Sequence, residues 1–122
     1  MSTRANIFID YLGERKQFYH HYDGYPSGVG SELVEYLTKA QEGTSETEKI
    51  FSNFMELIKN DELYEEEECI NIHWDIEYLY YVHIGEDGNS VSYTEVDFFS
   101  TKQQAKQLEE AEFGKKFLTN QK

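Results

Sequence analysis

The stretch HHYDGYPSGVG, residues 20–30, gathers unusual backbone and side-chain chemistry into eleven positions. It holds two histidines, one aspartate, two tyrosines, the only proline and three of the eight glycines. Glycine and proline permit or impose particular backbone conformations, so this density indicates a built turn rather than an ordinary connector. We expect the rest of the chain to be arranged around this turn and a functional site to lie at it.

The elements on either side of the turn follow from the spacing of apolar residues. The first half of the chain has strands over residues 4–12 and 16–22, a helix over residues 32–41 with Ser31 as N-cap, and a second helix from an N-cap at Ser45. The second half has a strand over residues 69–84 with a bend or bulge near Trp74 and Asp75, a hairpin turn at residues 86–89, a strand over residues 91–98, and a last helix from Ser100 to Phe117. This order, ββααβββα, predicts an α+β fold, with an antiparallel sheet of about five strands and helices packed on one face.

Length and composition limit the classes of protein to consider. A chain of 122 residues suits one domain, residues 1–122, with one core. The single cysteine, Cys69, excludes an intramolecular disulfide and predicts a reducing, cytoplasmic setting. No apolar run approaches the roughly 18 residues of a membrane-spanning helix, so no membrane partner is expected.

The charge is strongly acidic, with 24 acidic and 11 basic residues and a net charge of −13. Nucleic-acid binders need cations to displace counterions from phosphates, so direct binding to DNA or RNA is not expected. Two interpretations of the acidity stay open. It keeps an aromatic-rich protein soluble, or the tract at Glu62 and residues 65–68, which we expect to be an exposed loop, imitates a polyanion.

Two His-x-Asp units stand out: His21 with Asp23, and His73 with Asp75, the second followed by Glu77. Residues two apart on a strand point to the same side, so neighbouring strands would bring these groups together. The two histidines and two aspartates suit a divalent metal or a general acid–base pair, and no other cofactor is expected. The alternative is a structural brace, in which Asp23 bonds backbone amides and Gly24 takes a positive φ.

Residues 27–31 lead into the first helix, whose N-terminus would favour an anion. Arg4, one of two arginines, starts a strand that should neighbour this loop, and it could grip a nucleotide or pair with Asp23. The ten tyrosines indicate either a homo-oligomer interface or a half-buried sheet. The predicted ligand-binding residues are therefore Arg4, Tyr19, His21, Asp23, Tyr25, His73, Asp75 and Glu77, with His21, Asp23, His73 and Asp75 as the metal ligands.

Three segments, residues 3–7, 21–26 and 76–80, resemble a family of small uncharacterised proteins of phages, prophages and bacteria. The later motif of that family reads His-Gly-Asp-Ile-Glu-Tyr, where residues 73–78 here read His-Trp-Asp-Ile-Glu-Tyr. The tight turn that the glycine suggests must therefore be made differently in this chain, or not at all. The resemblance implies an accessory protein of a phage or mobile element, and it implies no activity.

Two functional hypotheses follow. The preferred one is a small acidic accessory protein that acts by non-enzymatic binding, either of a host protein, such as a host factor or defence enzyme that it inhibits, or of a small anionic ligand. The alternative is a small hydrolase, metal-dependent or acid–base, that uses the paired His-x-Asp units.

Overall fold

The computed structural model describes residues 3–67, 76–95 and 116–121. Its elements are strands β1 (Ala5–Tyr11) and β2 (Glu14–His20), a π-helical turn (Pro26–Gly30), helices α1 (Ser31–Ala40) and α2 (Thr47–Lys59), and strands β3 (Tyr64–Glu67), β4 (Tyr78–Gly85), β5 (Gly88–Glu95) and β6 (Lys116–Gln121). The predicted α+β class, with two strands, then helices, then further strands, is confirmed.

The described strands form one six-stranded sheet in the order β3-β2-β1-β4-β5-β6. The prediction of a purely antiparallel sheet is wrong, because β1 and β4 pair in parallel, with Ala5 opposite Tyr78 and Tyr11 opposite Ile84. Each is the first strand of an antiparallel hairpin, β1–β2 and β4–β5, and the two hairpins join through these first strands. Parallel neighbours need a long crossover connection, and the segment containing both helices provides it.

Strand β1 is buried on both faces. Its first five residues, Ala5 to Ile9, are completely buried. Four of these five residues are apolar, and such a run is typical of an interior strand covered on both sides. Ile7 and Ile9 face the helices, whereas Phe8 belongs to a second apolar cluster on the opposite face. Strand β1 is therefore the centre of the sheet.

Helices α1 and α2 pack on one face of the sheet, as predicted. The core on that face includes Ile7, Ile9, Tyr80, Val82 and Ile84 from the sheet and Leu33, Leu37, Ile50, Phe54 and Ile58 from the helices. In the described chain, neither of these helices is long and apolar enough to cross a membrane.

Both predicted N-caps are wrong. Helix α1 continues from the π-helical turn, whose last residue, Gly30, already has helical dihedral angles, so Ser31 lies inside helical backbone. Helix α2 begins at Thr47 after Glu46 rather than at Ser45. No side chain among the described residues bonds the free amides at this end of α2, and the Glu46 amide donates to the Thr44 hydroxyl at 3.1 Å in the turn before the helix.

The second face of the sheet also buries a cluster, made of Phe8, Tyr19, Ile76, Leu79 and Tyr81. The Arg15 guanidinium lies 4.4 Å from the centre of the Phe8 ring, a cation–π distance. Its Nε donates to Asp10 Oδ1 at 2.6 Å and its terminal nitrogen to Asp10 Oδ2 at 3.0 Å. This bidentate pair holds the arginine over the apolar cluster.

Three local predictions change in the structure. Residues 65–67 of the acidic tract form strand β3 at the sheet edge, where Glu65 and Glu66 stay exposed to solvent, so the predicted loop is wrong there. Ile76 and Glu77 are not part of a strand, so a continuous strand over residues 69–84 is also wrong. Strand β6 begins at Lys116, so the predicted last helix does not reach Phe117. The predicted bend at Trp74 and Asp75 and residues 100–115 of that helix lie outside the described residues.

The turn between β1 and β2 contains a residue that is unusual at such a position, Leu12. Leu12 and Gly13 have φ angles of 51° and 78°, as both central residues of a type I′ turn must. Asparagine and glycine tolerate this left-handed region, whereas leucine is strained in it. The Leu12 side chain is also 77% exposed, so the leucine stabilises neither the backbone nor the core.

Replacing this leucine, Leu12→Asn, is expected to raise the free energy of unfolding by about 1 kcal/mol, because asparagine relieves the left-handed strain. Urea denaturation measures this change. The matched control is Leu63→Asn, because Leu63 is also exposed (54%) and has no positive φ. An equal gain in both variants would contradict the strain argument.

Two buried tyrosines are held by long-range hydrogen bonds. Tyr64 of β3 donates to Glu32 Oε1 of α1 at 2.6 Å, and Tyr80 of β4 donates to the Gly24 carbonyl at 2.5 Å. Burial raises the pKa of Tyr64 far above its ordinary value of 10.0, and the hydrogen bond to Glu32 raises it further. Burial likewise raises the pKa of Tyr80.

Stability should therefore fall in alkali. Above about pH 10 the unfolded chain loses these phenolic protons while the folded protein keeps them, so the unfolded state binds fewer protons. Each such tyrosine lowers the free energy of unfolding by about 1.4 kcal/mol per pH unit in that range. Urea denaturation from about pH 9 to about pH 11 tests this. A Tyr64→Phe variant should show a shallower decline, and an unchanged slope would contradict the assignment.

Candidate functional site

The turn after β2 is tied to the start of β1 through its backbone. The Gly24 amide donates to the Thr3 carbonyl at 2.8 Å, and the Val29 amide donates to the Asp23 carbonyl at 2.9 Å. The Tyr80 hydroxyl donates to the Gly24 carbonyl, so both the amide and the carbonyl of Gly24 are hydrogen-bonded. The Gly28 amide donates to the Tyr25 carbonyl at 2.9 Å, so two of the amides expected to face an anion, those of Gly28 and Val29, bond within the loop instead.

Glycine at positions 24 and 28 is required by close approach. A Cβ atom at Gly24 would lie 2.8 Å from the Thr3 carbonyl oxygen, and one at Gly28 would overlap the Asp23 carbonyl oxygen. The prediction that Gly24 takes a positive φ is wrong: Asp23 does so, with φ 51°. Aspartate tolerates this conformation better than most residues. Gly24 is needed because the turn lies directly against β1.

Three of the predicted site residues form one cluster at this end of the sheet. Arg4 Nε donates to His21 Nδ1 at 3.3 Å, and the Tyr19 hydroxyl lies 3.0 Å from the same nitrogen. The guanidinium can only donate, so His21 Nδ1 is the acceptor and the proton of the neutral ring is on Nε2. The Tyr22 ring packs edge-on against the imidazole, with a distance of 4.7 Å between ring centres.

The Asp23 carboxylate has a different partner from His21. The Tyr25 hydroxyl donates to Asp23 Oδ1 at 3.2 Å, and this bond raises the pKa of Tyr25. Both residues are exposed at the surface. His21 and Asp23 share a sequence motif, but in the described chain their hydrogen bonds lead in two directions.

Glu77 reaches the same end of the sheet through its backbone. Its amide donates to the Arg4 carbonyl at 2.9 Å, and the neighbouring Tyr78 amide contacts the same oxygen at 3.4 Å. His73 and Asp75 lie outside the described residues, so the convergence of the two His-x-Asp units stays a prediction. Among the residues that the structure describes, no three histidine, cysteine or acidic side chains are grouped to hold a metal ion.

Tyr80 bonds the turn but is not among the predicted site residues. Its side chain lies on strand β4 and is fully buried. Its hydroxyl, however, anchors a glycine 56 residues away. A tyrosine among buried apolar residues signals that its hydroxyl needs a partner, but it does not show which one.

No protein-family model, curated protein or solved structure matches this chain. The resemblance of residues 3–7, 21–26 and 76–80 to a phage and bacterial family therefore stays a prediction.

Removing the Tyr80 hydroxyl by Tyr80→Phe is expected to lower the free energy of unfolding by about 1–3 kcal/mol, because the buried Gly24 carbonyl loses its donor. Amide hydrogen exchange at Gly24 and Val29 should also accelerate, since the turn loses this anchor. The control is Tyr25→Phe, which removes an exposed hydroxyl from the same turn. Equal effects of the two substitutions would show that Tyr80 does not anchor the turn.

Proposed function

We propose that the protein acts by binding rather than by catalysis, and that the cluster of Arg4, Tyr19 and His21 binds a small anionic ligand. The contact between Arg4 Nε and His21 Nδ1, at 3.3 Å, carries this proposal. It fixes the imidazole so that Nε2, beside a permanent positive charge, is a donor. Donors and positive charge on one half-buried spot suit the oxygens of a phosphate or carboxylate.

The same contact disfavours a catalytic histidine. A general base needs an accessible lone pair, and a carboxylate usually orients its ring. In the described residues, the lone pair of His21 Nδ1 accepts hydrogen bonds, and the neighbouring Asp23 carboxylate accepts from Tyr25. The His21 side chain is therefore arranged to donate to a ligand through Nε2 more readily than to abstract a proton.

The surroundings supply contact area for a ligand. Tyr22 is 53% exposed and packs on the imidazole, and Tyr25 is 40% exposed. Tyrosine gives a large contact area with little loss of side-chain entropy, which is why binding surfaces use it often. On a protein with a net charge of −13, a local cationic spot is also a place where an anion can approach.

The binding of AMP, as a phosphate-bearing probe, tests the proposal by isothermal titration calorimetry. Arg4→Gln should raise the Kd about tenfold or more, because a charge-assisted contact is lost. The matched control is Arg15→Gln, which removes the other arginine, paired with Asp10 toward the opposite end of β1, and should leave the Kd nearly unchanged. Native mass spectrometry of protein purified from cells should also show a bound anion that Arg4→Gln loses.

Two results would overturn the proposal. Equal loss of binding in both arginine variants would show that the cluster is not the site. Release of phosphate from the probe at a rate that depends on His21 would show catalysis and favour the hydrolase hypothesis.

A further inference from the structure

A groove lies at the other end of β1, between helix α2 and the tip of the β1–β2 hairpin. Its volume is about 590 Å³, within the range of small-molecule sites. The floor is apolar: the Tyr11 and Phe51 rings stack with centres 4.3 Å apart and planes 11° apart, and Met55 is buried beside them. The strained, exposed Leu12 stands at its edge.

Two lysines line one end of this groove. Lys59, at the C-terminal end of α2, lies 4.0 Å from Glu66 on β3, and Glu66 pairs with Phe18 of β2. Lys16 is two residues, or about 7 Å, from Phe18 along the same strand, so the two lysines are neighbours in the groove lining. Glu48 also lines the groove, but it lies eleven residues before Lys59 on α2, about 16 Å away along the helix axis.

The groove therefore has a definite polarity. An anionic group is attracted to the Lys16 and Lys59 end and repelled from the Glu48 end, and between them lies an aromatic and aliphatic surface. The lining holds two lysines and one glutamate, and Glu66 lies 4.0 Å from Lys59 at the cationic end. In a chain with 11 basic and 24 acidic residues, this lining is less acidic than the chain as a whole.

Leu12 gives a second, independent reason to expect an occupant. The position demands a left-handed backbone that asparagine or glycine accepts without strain. A leucine there strains the fold and exposes apolar surface, and strained residues concentrate at functional sites. A molecule seated in the groove would cover this side chain and gain from its burial.

We propose that this groove binds an amphipathic organic anion, with its apolar body on Tyr11, Phe51, Met55 and Leu12 and its carboxylate, sulfonate or phosphate group between Lys16 and Lys59. The site is separate from the Arg4 cluster, because β1 spans seven residues, or about 23 Å, between them. Its ligand differs too, since the groove requires a large apolar part.

The test uses 8-anilinonaphthalene-1-sulfonate, an aromatic anion whose fluorescence rises in apolar sites, and the natively folded protein. We expect one molecule bound per chain. The double variant Lys16→Gln/Lys59→Gln should raise the Kd about tenfold, because two exposed ion pairs are lost. The matched control is Lys39→Gln, which removes an equally exposed lysine paired with Glu35 on α1 and should change the Kd by less than about twofold.

The Leu12→Asn variant separates function from folding. It should raise the Kd about fivefold through lost apolar contact, yet be at least as stable as the wild type. Arg4→Gln should leave the affinity for this dye unchanged, so failure here is distinguishable from failure of the Arg4 site.

Three outcomes would overturn the inference. The first is a dye affinity that the lysine substitutions do not change. The second is equal affinity for neutral N-phenyl-1-naphthylamine, which would make the groove an apolar surface without anion selectivity. The third is a dimer in sedimentation equilibrium that Leu12→Asn dissociates, which would make a second copy of the chain the occupant.

Discussion

The burial of β1 on both faces is the constraint on which the rest of the structure depends. An interior strand needs hydrogen-bonding partners at both edges and apolar cover on both sides. The hairpin partner β2 supplies one edge, and β4 supplies the other in parallel. Because β4 lies some seventy residues later in the chain, the helices must cross over the sheet first. The layered α+β arrangement follows from this requirement.

The turn after β2 is positioned by the same strand. The Gly24 amide donates to the Thr3 carbonyl, two residues before β1. The Tyr80 hydroxyl of β4, the parallel neighbour of β1, donates to the Gly24 carbonyl. Gly24 permits this approach, because any side chain there would collide with β1. The candidate ligand cluster lies where β1 begins and β2 ends, because Arg4 precedes β1, Tyr19 is in β2 and His21 follows it.

The two arginines of the chain show how context sets the role of a side chain. Arg15 is held by both oxygens of Asp10 and lies over the Phe8 ring, so its charge is neutralised and it serves as cover for an apolar cluster. Arg4 instead donates to a neutral imidazole. The two arginines therefore have different roles because different side chains surround them.

The sequence by itself determined the local elements: the β1–β2 hairpin, the two amphipathic helices, the β4–β5 hairpin and the special character of residues 20–30, because periodicity and turn residues are local signals. The sequence also predicted that Arg4 lies near the turn at residues 20–30. Only the tertiary structure decided the parallel pairing of β1 with β4, the strand at residues 65–67, the partner of the Tyr80 hydroxyl and the separate partners of His21 and Asp23. These depend on which edges and hydroxyls meet across the fold, and contacts between residues distant in sequence leave no periodic trace in either segment.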